Sequence, residues 1–218
     1  MNQILSQFES YVFDLDGTLI DSAPDVVRSL KLAYIKSGAV RDIEISDSVI
    51  GPTIDVIIDK LTPYLKPVEK AEIIDLYRSF YDSNSFENTK LYDGVEELLE
   101  LLAGKRLFVV TNKPKKPTTN IINKIGLSMF EMIVCPDSIH DKMKKKEMFS
   151  YLIERAKIDP ARTLSIGDAA SDIINSKQNG MKTAGILGGY GSPDEIRTAN
   201  PDIIIENLHE LLHMFRIT

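Results

Sequence analysis

The chain has 218 residues, 43 % of them hydrophobic and 27 % charged, with a formal net charge of −6 and a single cysteine. That suffices for one sizeable core, or a core with a small companion, in an ordinary globular protein. The acidic balance argues against general nucleic-acid or membrane-surface binding, and neither a membrane-length apolar run nor a signal-peptide core before Tyr11 is present in the sequence.

Tyr11-Val12-Phe13 is an apolar, β-prone run, and Asp14 and Asp16 follow it two residues apart. Side chains at i and i+2 of an extended segment point the same way. The two carboxylates are therefore expected to crowd together at a strand end, where like charges require a cation or a retained proton. Gly17 lets the chain turn and leaves backbone N–H groups for an anion. Ser22 with Asp25 three residues on reads as a capping box, with Pro24 tolerated in the first turn. Val26, Val27, Leu30, Ala33 and Tyr34 then recur at helical spacing up to Gly38. A second helix is predicted from Thr53, carrying Ile54, Ile57, Ile58 and Leu61. A third covers 67–80, with Ile73, Ile74, Tyr77 and Phe80 on one face. Nothing between residues 21 and 88 reads as a strand of a central sheet.

From residue 91 strands and helices alternate. A helix through Val95, Leu98, Leu99 and Leu102 leads to the strand Leu107-Phe108-Val109-Val110. A helix with Ile121, Ile122 and Ile125 precedes the strand Glu131-Met132-Ile133-Val134-Cys135. Next come a helix through Met148, Leu152 and Ile153, the strand Thr163-Leu164-Ser165-Ile166, and a helix with Ile173 and Ile174. Thr183-Ala184-Gly185-Ile186-Leu187 and Asp202-Ile203-Ile204-Ile205 are the last strands before a C-terminal helix. Strands apolar throughout and separated by helices indicate a parallel sheet covered on both faces. The expectation is a doubly wound, Rossmann-like α/β core over 1–20 and 88–218, with a small α-helical domain inserted at 21–87. Cys135 cannot form an intramolecular disulfide, which suits a reducing cytoplasm, and is expected to be a buried, inert thiol.

Doubly wound sheets bind ligands beyond the carboxyl ends of their strands. The polar residues there are Asp14 and Asp16, then Thr111 and Asn112, then Asp168 and Asp172. Each alone reads as a helix cap, but polar groups at three strand ends together read as a site. Two acidic clusters facing one another would make a hard oxygen site suited to Mg²⁺. His209 and His213, four apart on a helix with no third ligand nearby, read as ordinary helix surface.

Asp14-Leu15-Asp16-Gly17-Thr18-Leu19-Ile20-Asp21-Ser22 resembles the first motif of the haloacid dehalogenase-like hydrolases in its phosphatase form, Asp-x-Asp-Gly-Thr-Leu-x-Asp-Ser, at every fixed position. Thr111, and then Gly167-Asp168 with Asp172, continue the resemblance in the family's order. It implies that Asp14 is a phosphate-accepting nucleophile and Asp16 a general acid/base, that Thr111 binds the phosphate, and that Gly17 and Asn112 bind substrate. It further implies Mg²⁺ on the Asp14 carboxylate, the Asp16 backbone carbonyl and the Asp168 carboxylate, with Asp172 in support. The family also uses a lysine beside the nucleophile. Lys142, Lys144, Lys145 and Lys146 stand in the right interval, without the proline that usually follows. Aligning Glu147-Met148-Phe149-Ser150-Tyr151-Leu152 with the family's helix start favours Lys145, with Lys144 and Lys146 as rivals.

The place of the insert, Ile50-Gly51-Pro52 within it, Tyr92-Asp93-Gly94-Val95 at its exit and Gly188-Gly189-Tyr190-Gly191 resemble the phosphoglycolate-phosphatase branch. The implied activity is Mg²⁺-dependent hydrolysis of a small phosphorylated metabolite, through an aspartyl-phosphate and under a closing cap. The protein would be a monomer or homodimer with no nucleic-acid or membrane partner. A β-phosphoglucomutase-like phosphotransferase also keeps both aspartates and stays open. So does a non-catalytic metabolite-binding module, against which the intact Asp14, Asp16 and Asp168 stand. A haloacid dehalogenase is disfavoured because it lacks an acid at the position of Asp16.

Overall fold

The computed structural model describes residues 7–40, 42–83, 86–139 and 142–216. Its strands are β1 (Ser10–Phe13), β2 (Ile20–Asp21), β3 (Lys90–Leu91), β4 (Arg106–Val110), β5 (Met132–Val134), β6 (Thr163–Gly167), β7 (Lys182–Ile186) and β8 (Ile203–Ile205). Six of them form one parallel sheet in the order β5-β4-β1-β6-β7-β8. β1 lies between β4 and β6, with Tyr11 opposite both Leu107 and Leu164.

The pleat of β1 divides the core. Tyr11 and Phe13 pack with Leu107, Val109, Leu164 and Ile166 on one face. Val12 packs with Phe108, Val110, Met148, Phe149 and Leu152 on the other. Both faces being covered explains why every residue of β1 and β6 is buried, the small polar Ser10, Thr163 and Ser165 included, and why the rest of these two strands is apolar. Full burial of each such side chain stabilises the fold by about 1.5–3 kcal/mol relative to leaving it exposed.

The insert carries α1 (Ala23–Ser37), α2 (Ile54–Leu61) and α3 (Pro67–Asp82). α4 (Val95–Leu101), α5 (Lys115–Ile125), α6 (Lys145–Ala156), α7 (Ala170–Gln178), α8 (Pro193–Thr198) and α9 (Leu208–Arg216) belong to the remainder. α1 packs along α3 through Leu30, Tyr34 and Ile73, and the Tyr34 hydroxyl shares a 3.0 Å hydrogen bond with Thr62.

The capping box expected of Ser22 and Asp25 does not form. Ser22 Oγ donates to Asp16 Oδ1 instead. Asp25, wholly buried, accepts from the Asn88 N–H at 3.1 Å, Asn88 Nδ2 at 3.0 Å and Thr89 Oγ1 at 2.8 Å. Burial by itself would raise that carboxyl, but the donors of Asn88 and Thr89 hold it below its ordinary value. A buried carboxylate needs several donors, and the returning chain supplies more of them than the helix's own first turn.

β2 and β3 pair antiparallel where the chain leaves and regains the sheet domain, Ile20 opposite Leu91 and Asp21 opposite Lys90. Two-residue strands are too short to leave a periodic signal, so this ribbon was not expected. Cys135 is buried, and burial pushes its thiol up to about 11. Among the described residues no helix is long and apolar enough to cross a membrane.

Candidate active site

The sheet places three polar strand ends side by side. Asp14 follows β1 and donates its N–H to the Ile166 carbonyl at 2.9 Å. Thr111 follows β4 and donates its N–H to the Val134 carbonyl at 3.0 Å. Asp168 follows β6, and Lys145 opens α6. The chain reverses its direction across the sheet at β1, so these residues sit where a doubly wound fold opens a crevice.

Lys145 Nζ pairs with Asp14 Oδ1 and lies 2.9 Å from Asp172 Oδ1. The side chains of Asp14 and Lys145 are 10 % and 6 % exposed, so little water screens the pair. Asp14, Asp168 and Asp172 each offer a carboxylate oxygen within 4.8 Å of the others. Three carboxylates therefore face one ammonium. Burial pushes Asp14 well above the usual carboxylate range, with Lys145 pulling down and Asp172 and Asp168 pushing further up. Asp168 is raised to about 6 by burial and by Asp172, against hydrogen bonds from the Tyr190 N–H at 2.8 Å and Thr18 Oγ1 at 2.9 Å. Burial would lower Lys145, but Asp14 and Asp172 override it and hold the ammonium above its ordinary value.

The backbone closes on Asp168 too tightly for side chains. A Cβ on Gly17, whose φ is +84°, would lie 2.1 Å from Asp168 Oδ2. A Cβ on Gly189 would lie 2.3 Å from Asp168 Cβ and 2.5 Å from the Gly17 carbonyl.

Asp16 does not join this cluster. The strand ends at Phe13, and the Leu15 carbonyl accepts from the Leu19 N–H at 2.9 Å and the Ile20 N–H at 3.0 Å. That turn breaks the i, i+2 relation on which the expected crowding of Asp14 and Asp16 rested. The Asp16 carboxylate instead lies 3.0 Å from Lys113 Nζ and accepts from Ser22 Oγ. Gly17 donates its N–H to the Ile20 carbonyl at 2.9 Å, so this N–H serves the turn. Thr111 Oγ1 accepts the Lys113 N–H at 3.1 Å. Asn112 Nδ2 donates to the Gly51 carbonyl at 3.1 Å, joining the sheet domain to the Ile50-Gly51-Pro52 loop.

Lys113 and Tyr81 were not singled out from the sequence. The Lys113 side chain is 6 % exposed. Its Nζ donates to the Tyr81 hydroxyl at 2.8 Å and lies 4.7 Å from that ring's centroid. A cleft of about 340 Å³ opens between insert and core, lined by Asp16, Gly51, Pro52, Tyr81, Asn112 and Lys113 among others. The polar run Thr111-Asn112-Lys113 was the available signal for Lys113. Tyr81 sits on a helix whose apolar stripe hid it among core residues.

The structure sets Lys145 on Asp14, whereas Lys142, Lys144 and Lys146 are exposed. The rings of His209 and His213 lie 6.2 Å apart, tilted by 31°, and among the described residues neither joins a group of potential metal ligands.

Residues 11–186 match the family model described as haloacid dehalogenase-like hydrolase. The phosphoglycolate phosphatase of Vibrio vulnificus strain YJ016 is 30 % identical, the alignment covering 94 % of this chain and 95 % of that protein. The N-acetylmuramic acid 6-phosphate phosphatase of Pseudomonas aeruginosa is 29 % identical, with 94 % of each covered. The crystal structure of a predicted phosphoglycolate phosphatase from Haemophilus somnus 129PT superposes with a TM-score of 0.82 at 27 % identity, over 95 % of this chain and 98 % of that one. The chain belongs to the haloacid dehalogenase-like hydrolases, and among them it is a phosphoric monoester hydrolase of the phosphoglycolate-phosphatase-like kind.

Proposed function

We propose that the protein hydrolyses a small phosphomonoester of the phosphoglycolate kind through an aspartyl-phosphate on Asp14. The observation that carries this reading is the Asp14 carboxylate at the end of β1, paired with Lys145 and facing Asp168 and Asp172. A nucleophilic carboxylate oriented by a buried ammonium is what covalent phosphoryl transfer requires.

Asp14 attacks phosphorus in line; the bond from its carboxylate oxygen to phosphorus forms as the bond to the alcohol oxygen breaks. Asp16 gives a proton to that departing oxygen. It then takes one from the water that attacks phosphorus, releasing inorganic phosphate and restoring the Asp14 carboxylate. The Thr111 hydroxyl, whose oxygen already accepts the Lys113 N–H, keeps its proton for a phosphoryl oxygen. Lys145 and the backbone N–H groups after Asp14 neutralise the others.

The donor set fits Mg²⁺: hard carboxylate oxygens in excess over their one lysine, in a cradle that no side chain at Gly17 or Gly189 could share. Asp14, the Asp16 backbone carbonyl and Asp168 would hold the ion with Asp172 behind them, and when bound it supplies positive charge to the phosphoryl oxygens.

Residues 21–87 act as a cap over the core of 1–20 and 88–218. The bonds from Asn112 to Gly51 and from Lys113 to Tyr81 support a closed arrangement that keeps bulk water from the intermediate.

The test is Asp14→Asn, which keeps the shape of the side chain and removes its nucleophilic charge. Release of inorganic phosphate from phosphoglycolate and from p-nitrophenyl phosphate with Mg²⁺ should fall by about 10⁴-fold or more, with an unchanged circular dichroism spectrum. Substantial turnover by this variant, with reversion to Asp excluded by mass spectrometry, would sink the covalent mechanism.

A further inference from the structure

Two donors meet Asp16 on one oxygen: Lys113 Nζ lies 3.0 Å from Oδ1, and Ser22 Oγ donates to the same atom. A proton passed to a leaving alcohol therefore belongs on Oδ2, and the direction of that oxygen depends on what holds Ser22. Ser22 stands immediately before α1. A serine there ordinarily has extended backbone and turns its hydroxyl back to accept an N–H of its own helix. Ser22 instead has φ −104° and ψ −2°, and its hydroxyl makes no such bond. The Tyr190 hydroxyl takes over that duty, accepting the Ser22 N–H at 2.8 Å and the Ala23 N–H at 2.9 Å. Ser22 Oγ is thereby released to reach Asp16. Tyr190 is itself fixed to the core. Its N–H donates to Asp168 Oδ2 at 2.8 Å, and its ring lies so close to Gly17 that a Cβ there would stand 2.9 Å from Cδ2.

Taking the phosphatase reading as its basis, we propose that Tyr190 is a positioning residue for acid/base catalysis, acting on Asp16 through Ser22. Its hydroxyl relieves the serine of capping α1 and pins the serine's backbone to the loop after β7. Ser22 Oγ then stays on Asp16 Oδ1, and Asp16 Oδ2 stays turned toward the leaving oxygen. The anchor matters because Ser22 sits where the insert leaves the sheet domain, so a serine held only by its helix would follow the insert. Without the Tyr190 hydroxyl, the Ser22 and Ala23 N–H groups lose their acceptor, and local capping competes with Asp16 for the serine hydroxyl. The consequence falls on proton transfer to the leaving group. Asp14 and Lys145 keep the contacts they make with one another.

The experiment measures kcat/KM with Mg²⁺, a quantity that covers binding and phosphorylation but not the later water step. The substrates are p-nitrophenyl phosphate and whichever of phosphoglycolate, glycerol 3-phosphate and ethyl phosphate is hydrolysed fastest. Tyr190→Phe keeps the ring and the N–H on Asp168. It should lose about 10-fold or more on the alkyl ester, whose alkoxide needs the acid, and stay within about threefold on the phenyl ester. In an Asp16→Ala background the same substitution should change either rate by no more than about threefold, because residues that act as a unit are not additive. A cap of purely structural kind would lower both esters alike in both backgrounds, and that result overturns the proposal. So does a Tyr190→Phe protein with no selective loss when Asp16→Ala shows one, an outcome that leaves the phosphatase reading standing. Ser22→Ala keeps the bonds of its N–H to Tyr190 and cuts the relay at its far end. It should reproduce the selective loss, and it carries the readout if Tyr190→Phe does not fold; an unchanged ester ratio there overturns the relay. Equal losses on both esters in Asp16→Ala would remove the acid/base reading and the proposal with it, and failure of the wild type on p-nitrophenyl phosphate would overturn both.

Discussion

Tyr190 reaches from the loop after β7 to Asp21, its hydroxyl donating to the Asp21 carboxylate at 2.7 Å. The same oxygen accepts the Ser22 N–H at 2.8 Å and the Ala23 N–H at 2.9 Å, while the Tyr190 N–H holds Asp168. One residue thus connects the acidic cluster to the first turn of α1, supplying the acceptor that Ser22 and Asp25 do not provide.

Tyr190→Phe removes the hydroxyl and leaves the N–H on Asp168. Three hydrogen bonds at a half-buried helix start are lost, which should cost about 1–3 kcal/mol. The melting temperature should fall by roughly 3–10 °C, with the Mg²⁺-induced rise in melting temperature preserved. Thermal melts with and without Mg²⁺ check this. An unchanged melting temperature would mean that the hydroxyl contributes nothing to the start of α1.

Asp168 gives the fold a pH dependence of unusual sign. Folded, it keeps its proton up to about 6, whereas its ordinary value is 3.8. Between those values the native state binds more protons than the unfolded chain, so the contribution of Asp168 to stability in Mg²⁺-free solution should fall as pH rises from about 4 to 6, and the raised Asp14 carboxyl adds a loss of the same sign. The change attributable to Asp168 is on the order of 3 kcal/mol. Mg²⁺ prefers the ionised cluster and should raise the melting temperature at pH 7 far more than at pH 4.5. Asp168→Asn should flatten the pH response and reduce the Mg²⁺ effect. Equal Mg²⁺ shifts in the two proteins would place the cation elsewhere.

Asp16→Ala separates acid/base work from charge alone. A general acid matters most when the leaving alkoxide is poor and least when it is an activated phenolate. Phosphorylation by phosphoglycolate should slow by about 10²–10⁴-fold, and by p-nitrophenyl phosphate far less. The water step still lacks its base, so the phenyl ester should give a burst of nitrophenol followed by slow turnover in a rapid-mix time course. Equal losses on both esters without a burst would remove the acid/base assignment.

How much of this was readable beforehand depended on how local each feature is. The six sheet strands declared themselves because burial on both faces favours a largely apolar run, as in Leu107-Phe108-Val109-Val110. The convergence of Asp14, Thr111 and Asp168 followed from strand ends alone. The direction of Asp16 did not, because it depends on a turn whose bonds run from Leu15 to Leu19 and Ile20. Asp25 looked like a local cap, since its true partners lie 63 and 64 positions away in the chain. Lys113 was one cation among several in Lys113-Pro114-Lys115-Lys116. Its burial against Asp16 and the approach of Tyr81 from the insert distinguish it.

The β2–β3 ribbon makes the inserted segment a splice cassette. Asp21 and Lys90 stand opposite one another, so the two cut ends of the core are held as neighbours whatever lies between them. A two-residue turn joining them would close a hairpin without moving β1 or β4. Lys113 and Asp16 would remain in the recipient, and Tyr81 would leave with the donor. On the proposed reading, exchange of this segment between relatives should therefore transplant the environment of the leaving group while the residues proposed for phosphoryl transfer stay in place.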